Sequence, residues 1–340
     1  MDLKTLASVA RSLVQPGKGI LAADESSPTI KKRFDSIHLE STEANRRAYR
    51  EMLFTTRGAE DFISGVILFD ETIRQSTGSG TPFPRFLTGR GIHPGIKVDA
   101  GAKALAGFPG EKITEGLDGL RDRLAAYREL GAAFTKWRAV ITIGNGIPSA
   151  FCIEANAHAL ARYAALSQEA GLVPIVEPEV LMDGDHTIER CEAVTERTLS
   201  RVFLDLHRHR VHLEGALLKP NMVVSGKDCP TQAGPEQVAE ATVRCFRRTV
   251  PSAVPGIVFL SGGQTPVEAT ANLNAMNALG DHPWELSFSY GRALQENALK
   301  AWSGKAENVT AAQEVFHHRA KLNGAARHGK YLSRMEVVAA

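Results

Sequence analysis

The sequence predicts an α/β chain folded as a single-domain, closed (β/α)8 barrel (a TIM barrel), with extra helices at its N- and C-terminal ends. Three observations predict it. Eight short apolar runs alternate with helical or loop stretches along the 340 residues, a rhythm that implies a parallel sheet. Four of those runs end in polar chemistry at near-equal intervals: Lys136, Glu177, Lys219 and Ser261 follow one another at steps of 41, 42 and 42 residues. That step suits one strand, one helix and two loops. No Gly-x-Gly-x-x-Gly follows the first run, which counts against the competing open, doubly wound sheet of a dinucleotide binder. The barrel is placed at about residues 18–300, with C-terminal helices and a tail over 301–340. These additions account for the excess over the ~250 residues typical of the fold.

Each element has a local reason. Leu3, Leu6, Ala7, Ala10, Leu13 and Val14 recur at helical spacing, and Pro16-Gly17 ends that helix. Gly19 to Ala23 is the first strand; it closes on Asp24-Glu25-Ser26-Ser27, and a polar stretch with Lys31, Lys32 and Arg33 follows. Thr42 is an N-cap for a helix to about Thr56. Ile63 to Phe69 is the second strand, ending at Asp70-Glu71, and residues 76–91, punctuated by Gly78, Gly80, Pro82, Pro84, Gly89 and Gly91, read as a loop. Gly95 to Asp99 ends the third strand. A helix from Leu117 to Leu130, stopped by Gly131, leads to the fourth strand, Ala133 to Arg138. Pro148 opens a long helix that Gly171 stops, before the fifth strand, Val173 to Glu179. A helix from His186 to about His207 precedes the sixth strand, Gly215 to Asn221, which runs through two leucines into Lys219 and is cut by Pro220. Pro235 to Thr249 is helical, then Ile257 to Gly263 is the seventh strand with its turn. Thr265-Pro266-Val267-Glu268 is a capping box opening a helix to about Leu279. Leu286 to Arg292 is the last strand end, followed by helices over Leu294 to Trp302 and Ala311 to Leu322. Beyond Tyr331 no pattern stands out.

Hydrophobic residues make up 43% and charged residues 23%, so a large core is available and disorder is not expected. The net charge of +2 comes from mixed charges rather than a basic block, which argues against nucleic acid as a partner. Four cysteines, none in a C-x-x-C pair, read as free thiols of a reducing compartment. No leader-like N-terminus and no apolar run of ~18–20 residues is present, so a soluble cytoplasmic protein with no membrane contact is expected.

In such a barrel the C-terminal ends of the strands build the site. Residues two apart on a strand share a face, which pairs Lys136 with Arg138, Lys97 with Asp99 and Glu177 with Glu179. Asp24, Lys97, Lys136, Glu177 and Lys219 are then expected to converge at the mouth. Two chemistries fit. A lysine among other cations has a lowered pKa and presents a neutral amine that attacks a carbonyl, forming a Schiff base whose iminium is an electron sink for C–C cleavage. A carboxylate pair moves the protons that this requires. The alternative is metal-assisted carbonyl polarisation, with Asp183, Asp185 and His186, or His207 to His212, as ligand candidates; both groups read better as polar loop and helix end. Phosphate handling is the clearer signal. Ser261-Gly262-Gly263-Gln264 lies between a strand end and a capped helix, where backbone N–H groups and the helix N-terminus favour an anion. Gly291-Arg292 adds a cation beside it. Lys97 and the segment from Ser26 to Arg33 are placed to grip a second phosphate across the mouth, so a bisphosphorylated sugar is the expected substrate.

These stretches resemble the class I (Schiff-base) fructose-bisphosphate aldolase family. The likeness is carried by Pro16 to Ser26, Gly95 to Asp99, Lys136-Trp137-Arg138, Ile175 to Glu179, Glu214 to Met222, Leu260 to Gln264 and Phe288 to Leu294, in family order from about residue 3 to 331. The resemblance implies reversible cleavage of fructose 1,6-bisphosphate to dihydroxyacetone phosphate and glyceraldehyde 3-phosphate in glycolysis and gluconeogenesis. It implies that Lys219 forms the Schiff base, that Glu177 is the general acid/base with Glu179 close by, that Asp24 takes the C4 hydroxyl proton, and that Lys136 supports the charges between them. Ser261, Gly262, Gly263, Ser289, Gly291 and Arg292 would hold the C1 phosphate; Ser26, Thr29, Arg33 and Lys97 would lie toward the C6 phosphate, and Arg138 is a further substrate contact. No metal or other cofactor is needed, and a homotetramer is usual. Two departures stand out. Where the family commonly reads Glu-Ser-Thr-Gly-Ser-Ile, this chain reads Glu25-Ser26-Ser27-Pro28-Thr29-Ile30, and Pro28 is expected to stiffen a loop and remove an amide donor. The chain ends Glu336-Val337-Val338-Ala339-Ala340 without the terminal tyrosine of many animal members, so proton exchange at the dihydroxyacetone phosphate carbon is expected to be slower or to use another group.

Overall fold

The structure, a computed structural model, describes residues 2–337. Eight strands close in parallel around one axis: β1 (Gly19–Ala23), β2 (Ile63–Leu68), β3 (His93–Lys97), β6 (Phe134–Ile141), β7 (Val173–Val180), β8 (Leu217–Leu218), β9 (Gly256–Phe259) and β10 (Glu285–Tyr290). The order around the barrel is β1-β10-β9-β8-β7-β6-β3-β2, closed between β2 and β1. A small antiparallel hairpin, β4 (Ala102–Ala104) with β5 (Lys112–Thr114), follows β3 and stands outside the barrel. β8 is only two residues long; the ladder continues through Lys219, whose N–H donates to the Val176 carbonyl at 2.8 Å, before Pro220 ends pairing.

The helices follow the strands in chain order: α1 (Leu3–Leu13), α2 (Ser27–Asp35), α3 (Glu43–Phe54), α4 (Asp70–Ile73), α5 (Phe83–Gly89), α6 (Leu120–Glu129), α7 (Ala150–Glu169), α8 (Ile188–Arg208), α9 (Pro235–Thr249), α10 (Pro266–Ala278), α11 (Arg292–Trp302) and α12 (Val309–Ala326). The caps read from sequence are in place: Thr42 accepts from Asn45 N–H, and Thr265 and Glu268 form the reciprocal capping box of α10.

Two apolar layers divide the core. Outward-facing strand residues such as Trp137, Val176 and Phe259 pack under the helices. Inward-facing Ile20, Ile67, Phe134, Val173, Ile175, Leu217 and Val258 fill the barrel, and Leu6, Ala10 and Leu13 of α1, with Val14 at its C-cap, plug its N-terminal end. The Phe134 ring needs a missing side chain opposite: a Cβ at Gly95 would lie 2.2 Å from it. The same inward positions, continued toward the C-terminal ends, carry the charged residues.

Two readings need correction. The stretch after Ser26 is not a stiffened loop but α2, with Pro28 in its first turn, where an amide has no intrahelical partner anyway. Thr29 and Ile30 both donate to the Ser26 carbonyl there. Residues 76–91 contain α5, held by burial of Phe83 and Leu87 one turn apart. The β4/β5 hairpin was unforeseen. Tyr331 is docked: its hydroxyl donates to Glu336 at 2.7 Å, and Glu336 pairs with Arg319 of α12. Burial and Glu336 push the Tyr331 phenol up to about 12. The tail expectation concerns the chain end, of which residues 338–340 lie outside the described residues. The four cysteines are free and buried.

Candidate active site

Alternation along each strand builds the mouth. On β6 the inward positions run Phe134, Lys136, Arg138; on β7, Ile175, Glu177, Glu179. Beyond β1 and β3 the same count reaches Asp24 and Asp99, and beyond β8 it reaches Lys219. The charged members of these series line one cavity of about 730 Å³ at the C-terminal end of the barrel. Lys136, Glu177 and Lys219 are each only 3% exposed, so their charges must satisfy one another.

They do so as an alternating chain. Asp24 Oδ2 lies 2.7 Å from Lys136 Nζ, Lys136 Nζ lies 3.4 Å from Glu177 Oε2, and Glu177 Oε1 lies 3.2 Å from Lys219 Nζ. Asp99 approaches Lys136 at 3.8 Å and accepts from Lys97 at 2.6 Å. Burial alone would raise the Asp24 carboxyl, but Lys136, then Lys219 and Lys97, outweigh it and hold the group well below the usual carboxylate range. Burial would likewise lower Lys136, but Asp24, Glu177 and Asp99 hold it protonated above the usual lysine range. Lys136 is not the immediate neighbour of Lys219, whose ion-pair partner is the Glu177 carboxylate, with Lys136 one position further along.

Around this chain stand two anion-ready walls. On one side β9 ends in Ser261 and Gly262, the latter in the left-handed region at φ +54°, where glycine avoids the strain a side chain would bring. Arg292, from the start of α11, reaches the Gly262 and Gln264 carbonyls at 3.5 and 3.4 Å. Ser289 and Gly291 complete this wall. Gly263 lies just behind the lining, its N–H donating to Met182 Sδ at 2.9 Å. On the other side stand Ser26 and Thr29, whose hydroxyls meet at 3.1 Å, with Arg33 and Lys97. Arg33 is tied to Glu25, which also accepts from the buried Arg50. Arg138 is tied to Glu179; burial lowers it, but Glu179 outweighs this and raises the guanidinium above its ordinary value.

Two buried oxygens in this lining, Glu177 Oε2 and Ser289 Oγ, have no hydrogen-bond partner among the described residues. Such atoms are rare in folded proteins and mark where a ligand or water is expected. Several contributors were missed in sequence. Glu25 holds Arg33 and is itself held by the buried Arg50. Asn221 holds the ends of β7 and β8 together: its Oδ1 accepts from Val180 N–H at 2.9 Å, and its Nδ2 donates to Thr195 at 3.2 Å. Asp99 had a legible signal, its two-residue spacing from Lys97. The metal-ligand candidates take other roles. Asp183 pairs with Lys227 at 2.8 Å, the His186 ring nitrogens lie 3.3 Å from backbone carbonyls, and His207 and Arg208 end α8. Among the described residues no group of three His, Cys, Asp or Glu side chains is arranged around a common point.

A parallel eight-stranded barrel with buried lysines and carboxylates at its C-terminal end, flanked by phosphate-sized anion walls, defines a barrel enzyme acting on a phosphorylated carbonyl compound. Comparison with known proteins makes this specific. The family description "Fructose-bisphosphate aldolase class-I" matches residues 5–340. The "Probable fructose-bisphosphate aldolase class 1" of Xanthomonas campestris pv. campestris is 60% identical over 97% of this chain and 99% of its own length. "Fructose-bisphosphate aldolase 4, cytosolic" of Arabidopsis thaliana is 59% identical over 93% of this chain and 81% of its own. A solved structure of fructose-bisphosphate aldolase from Plasmodium falciparum superposes with a TM-score of 0.96 at 53% identity, covering 97% of this chain and 96% of that one. The chain belongs to the class-I fructose-bisphosphate aldolase family. It is accordingly a carbon–carbon lyase of the metal-independent, Schiff-base kind.

Proposed function

We propose that Lys219 is the residue that bonds covalently to the sugar, and that Glu177, Asp24 and Lys136 move and balance the protons of the reaction. The observation that carries this reading is the chain Asp24–Lys136–Glu177–Lys219, with contacts of 2.7, 3.4 and 3.2 Å in one cavity. Glu177 is within proton-transfer reach of Lys219 Nζ. It takes a proton from the ammonium, and the neutral amine adds to C2 of fructose 1,6-bisphosphate. Glu177 then returns a proton to the carbinolamine hydroxyl, which leaves as water and gives the iminium. Asp24, kept ionised by Lys136, removes the C4 hydroxyl proton. The C3–C4 bond electrons pass to the iminium nitrogen, releasing glyceraldehyde 3-phosphate and leaving an enamine. Protonation at C3 and hydrolysis by water free dihydroxyacetone phosphate and Lys219. Glu179 orients Arg138 at the rim.

The C1 phosphate sits in this reading on Ser261, Gly262, Gly263, Ser289, Gly291 and Arg292. The orphan hydroxyl of Ser289 supports that side. The C6 phosphate lies toward Ser26, Thr29, Arg33 and Lys97. No cofactor takes part, the chain works as one domain over residues 1–340, and four copies assemble in the cytoplasm; among the described residues no helix is long and apolar enough to cross a membrane. The test is turnover of fructose 1,6-bisphosphate by purified protein with and without excess chelator, followed by the mass of the active species. Equal rates and a mass four times that of the chain are expected. Loss of activity on chelation would overturn the cofactor-free reading.

A further inference from the structure

The loops that follow β7 and β8 are zipped together by their backbones. Lys227 N–H donates to the Met182 carbonyl at 2.8 Å, Gly226 N–H to His186 at 2.8 Å and Asp228 N–H to Gly184 at 2.9 Å. A Cβ at Gly226 would stand 2.3 Å from the Gly184 carbonyl oxygen, so the close approach requires glycine there. The zipper sets Met182 and Lys227 side by side and delivers both onto the turn after β9. A Cβ on Gly263 would lie 2.3 Å from Lys227 Cε, 2.5 Å from Met182 Sδ and 3.1 Å from Lys227 Nζ. The bare Gly263 backbone therefore forms a groove that the lysine stem and the thioether occupy. Its N–H is held at 2.9 Å by the Met182 sulfur, a weak acceptor. A phosphate oxygen is a far stronger acceptor for the same amide.

The ion pair of Lys227 differs from the others near the mouth. Glu25, Asp99 and Glu179, which hold Arg33, Lys97 and Arg138, have side chains only 4%, 2% and 8% exposed. Lys227 and its partner Asp183 are 45% and 62% exposed. An exposed pair is worth little and re-pairs at small cost, whereas removing a cation from a buried carboxylate is expensive. Lys227 is thus a cation free to change partner, lying against the turn that Arg292 reaches from another element.

We propose that Lys227 is a further phosphate-binding residue of this site, exchanging Asp183 for a phosphomonoester dianion on the Ser261–Gly263 turn. It packs against Gly263, the residue after Gly262, where the turn leaves the cavity lining, so it acts on the dianion from the turn's outer side. The proposal rests on the reading that this turn holds a substrate phosphate.

The experiment compares Lys227→Met, Lys227→Arg, Asp183→Asn and Arg292→Met in the full-length protein. It measures KM for fructose 1,6-bisphosphate and competitive inhibition by inorganic phosphate at two ionic strengths. Lys227→Met is expected to raise both constants about five- to tenfold, the scale of one added charge contact, and to flatten their salt dependence. Lys227→Arg restores most of the affinity. Asp183→Asn, which breaks the same ion pair from the other side, is expected to lower both constants about two- to threefold. This opposite sign separates phosphate binding from loop support, because a structural role makes both variants worse. If Lys227→Met changes neither constant by twofold while Arg292→Met raises both, the proposal is overturned and the phosphate turn stands. If Arg292→Met also leaves phosphate inhibition as it was, the phosphate turn itself falls.

Discussion

On β6 the inward side chains run Phe134, Lys136, Arg138, and on β7 they run Ile175, Glu177, Glu179. The lower members of these series belong to an apolar floor sealed by α1, and the upper members line a charged mouth. Floor and mouth share strands, register and backbone hydrogen bonds, and differ only in position along the axis. The floor stabilises through burial and tolerates no unfilled space: Gly95 exists so that Phe134 fits. The mouth does the reverse. It buries two lysines and several carboxylates that would each be costly alone, keeps them tolerable by alternation of sign, and leaves Ser289 Oγ with no hydrogen-bond partner among the described residues. Stability and chemistry are thus separated by a step of two residues, so substitutions at neighbouring inward positions should fail in different ways.

The sharpest way to break that division is at Lys219. Lys219→Met keeps the length of the side chain and removes the proposed nucleophile; turnover is expected to fall by at least about 10⁴-fold, with the cooperative melting transition retained. Asp24→Asn comes next. It removes the proposed base without changing shape, and kcat is expected to fall by about 10³-fold in a steady-state cleavage assay. The floor gives the contrasting result. Phe134→Ala opens a cavity between Gly65 and Gly95 and is expected to cost about 3 kcal/mol or more in denaturant unfolding. Its activity per folded molecule should stay within a few-fold of the parent. The smallest effect is a pH dependence. Asp24 titrates below its unfolded value of 3.8, so the unfolded chain binds the proton first as pH falls. The stability this contributes is whole above about 3.8 and is lost as pH drops through the lower folded value. Between about pH 5 and about pH 3, Asp24→Asn should therefore lose less unfolding free energy than the parent.

The floor and most of the mouth were legible because both obey a period of two on strands with clear apolar starts. Lys136, Glu177 and Lys219 stand at the ends of such runs, and the capping box at Thr265 fixed where the phosphate turn must stop. What escaped depended on weaker or longer-range terms. α2 buries only Ile30 and Phe34, one turn apart, within a polar sequence; Ser26 before Pro28 was its one signal. α5 is seven residues long and begins among prolines, so turn chemistry hid it. The order in which the converging charges alternate around Lys219 was not legible, because sequence shows which charges converge but not which stands next to which. Met182 and Lys227 reach Gly263 only because two loops pair across a gap of more than forty residues, a contact that no local pattern encodes.

In the proposed mechanism the inward lysine after β8 bonds to the sugar. Borohydride reduction in the presence of dihydroxyacetone phosphate, followed by peptide mass mapping, tests it most directly. The account predicts one stoichiometric adduct, carried by the peptide containing Lys219 and absent from the Lys219→Met variant. An adduct of equal yield on Lys136 or Lys97, or full turnover with no adduct at all, would contradict it.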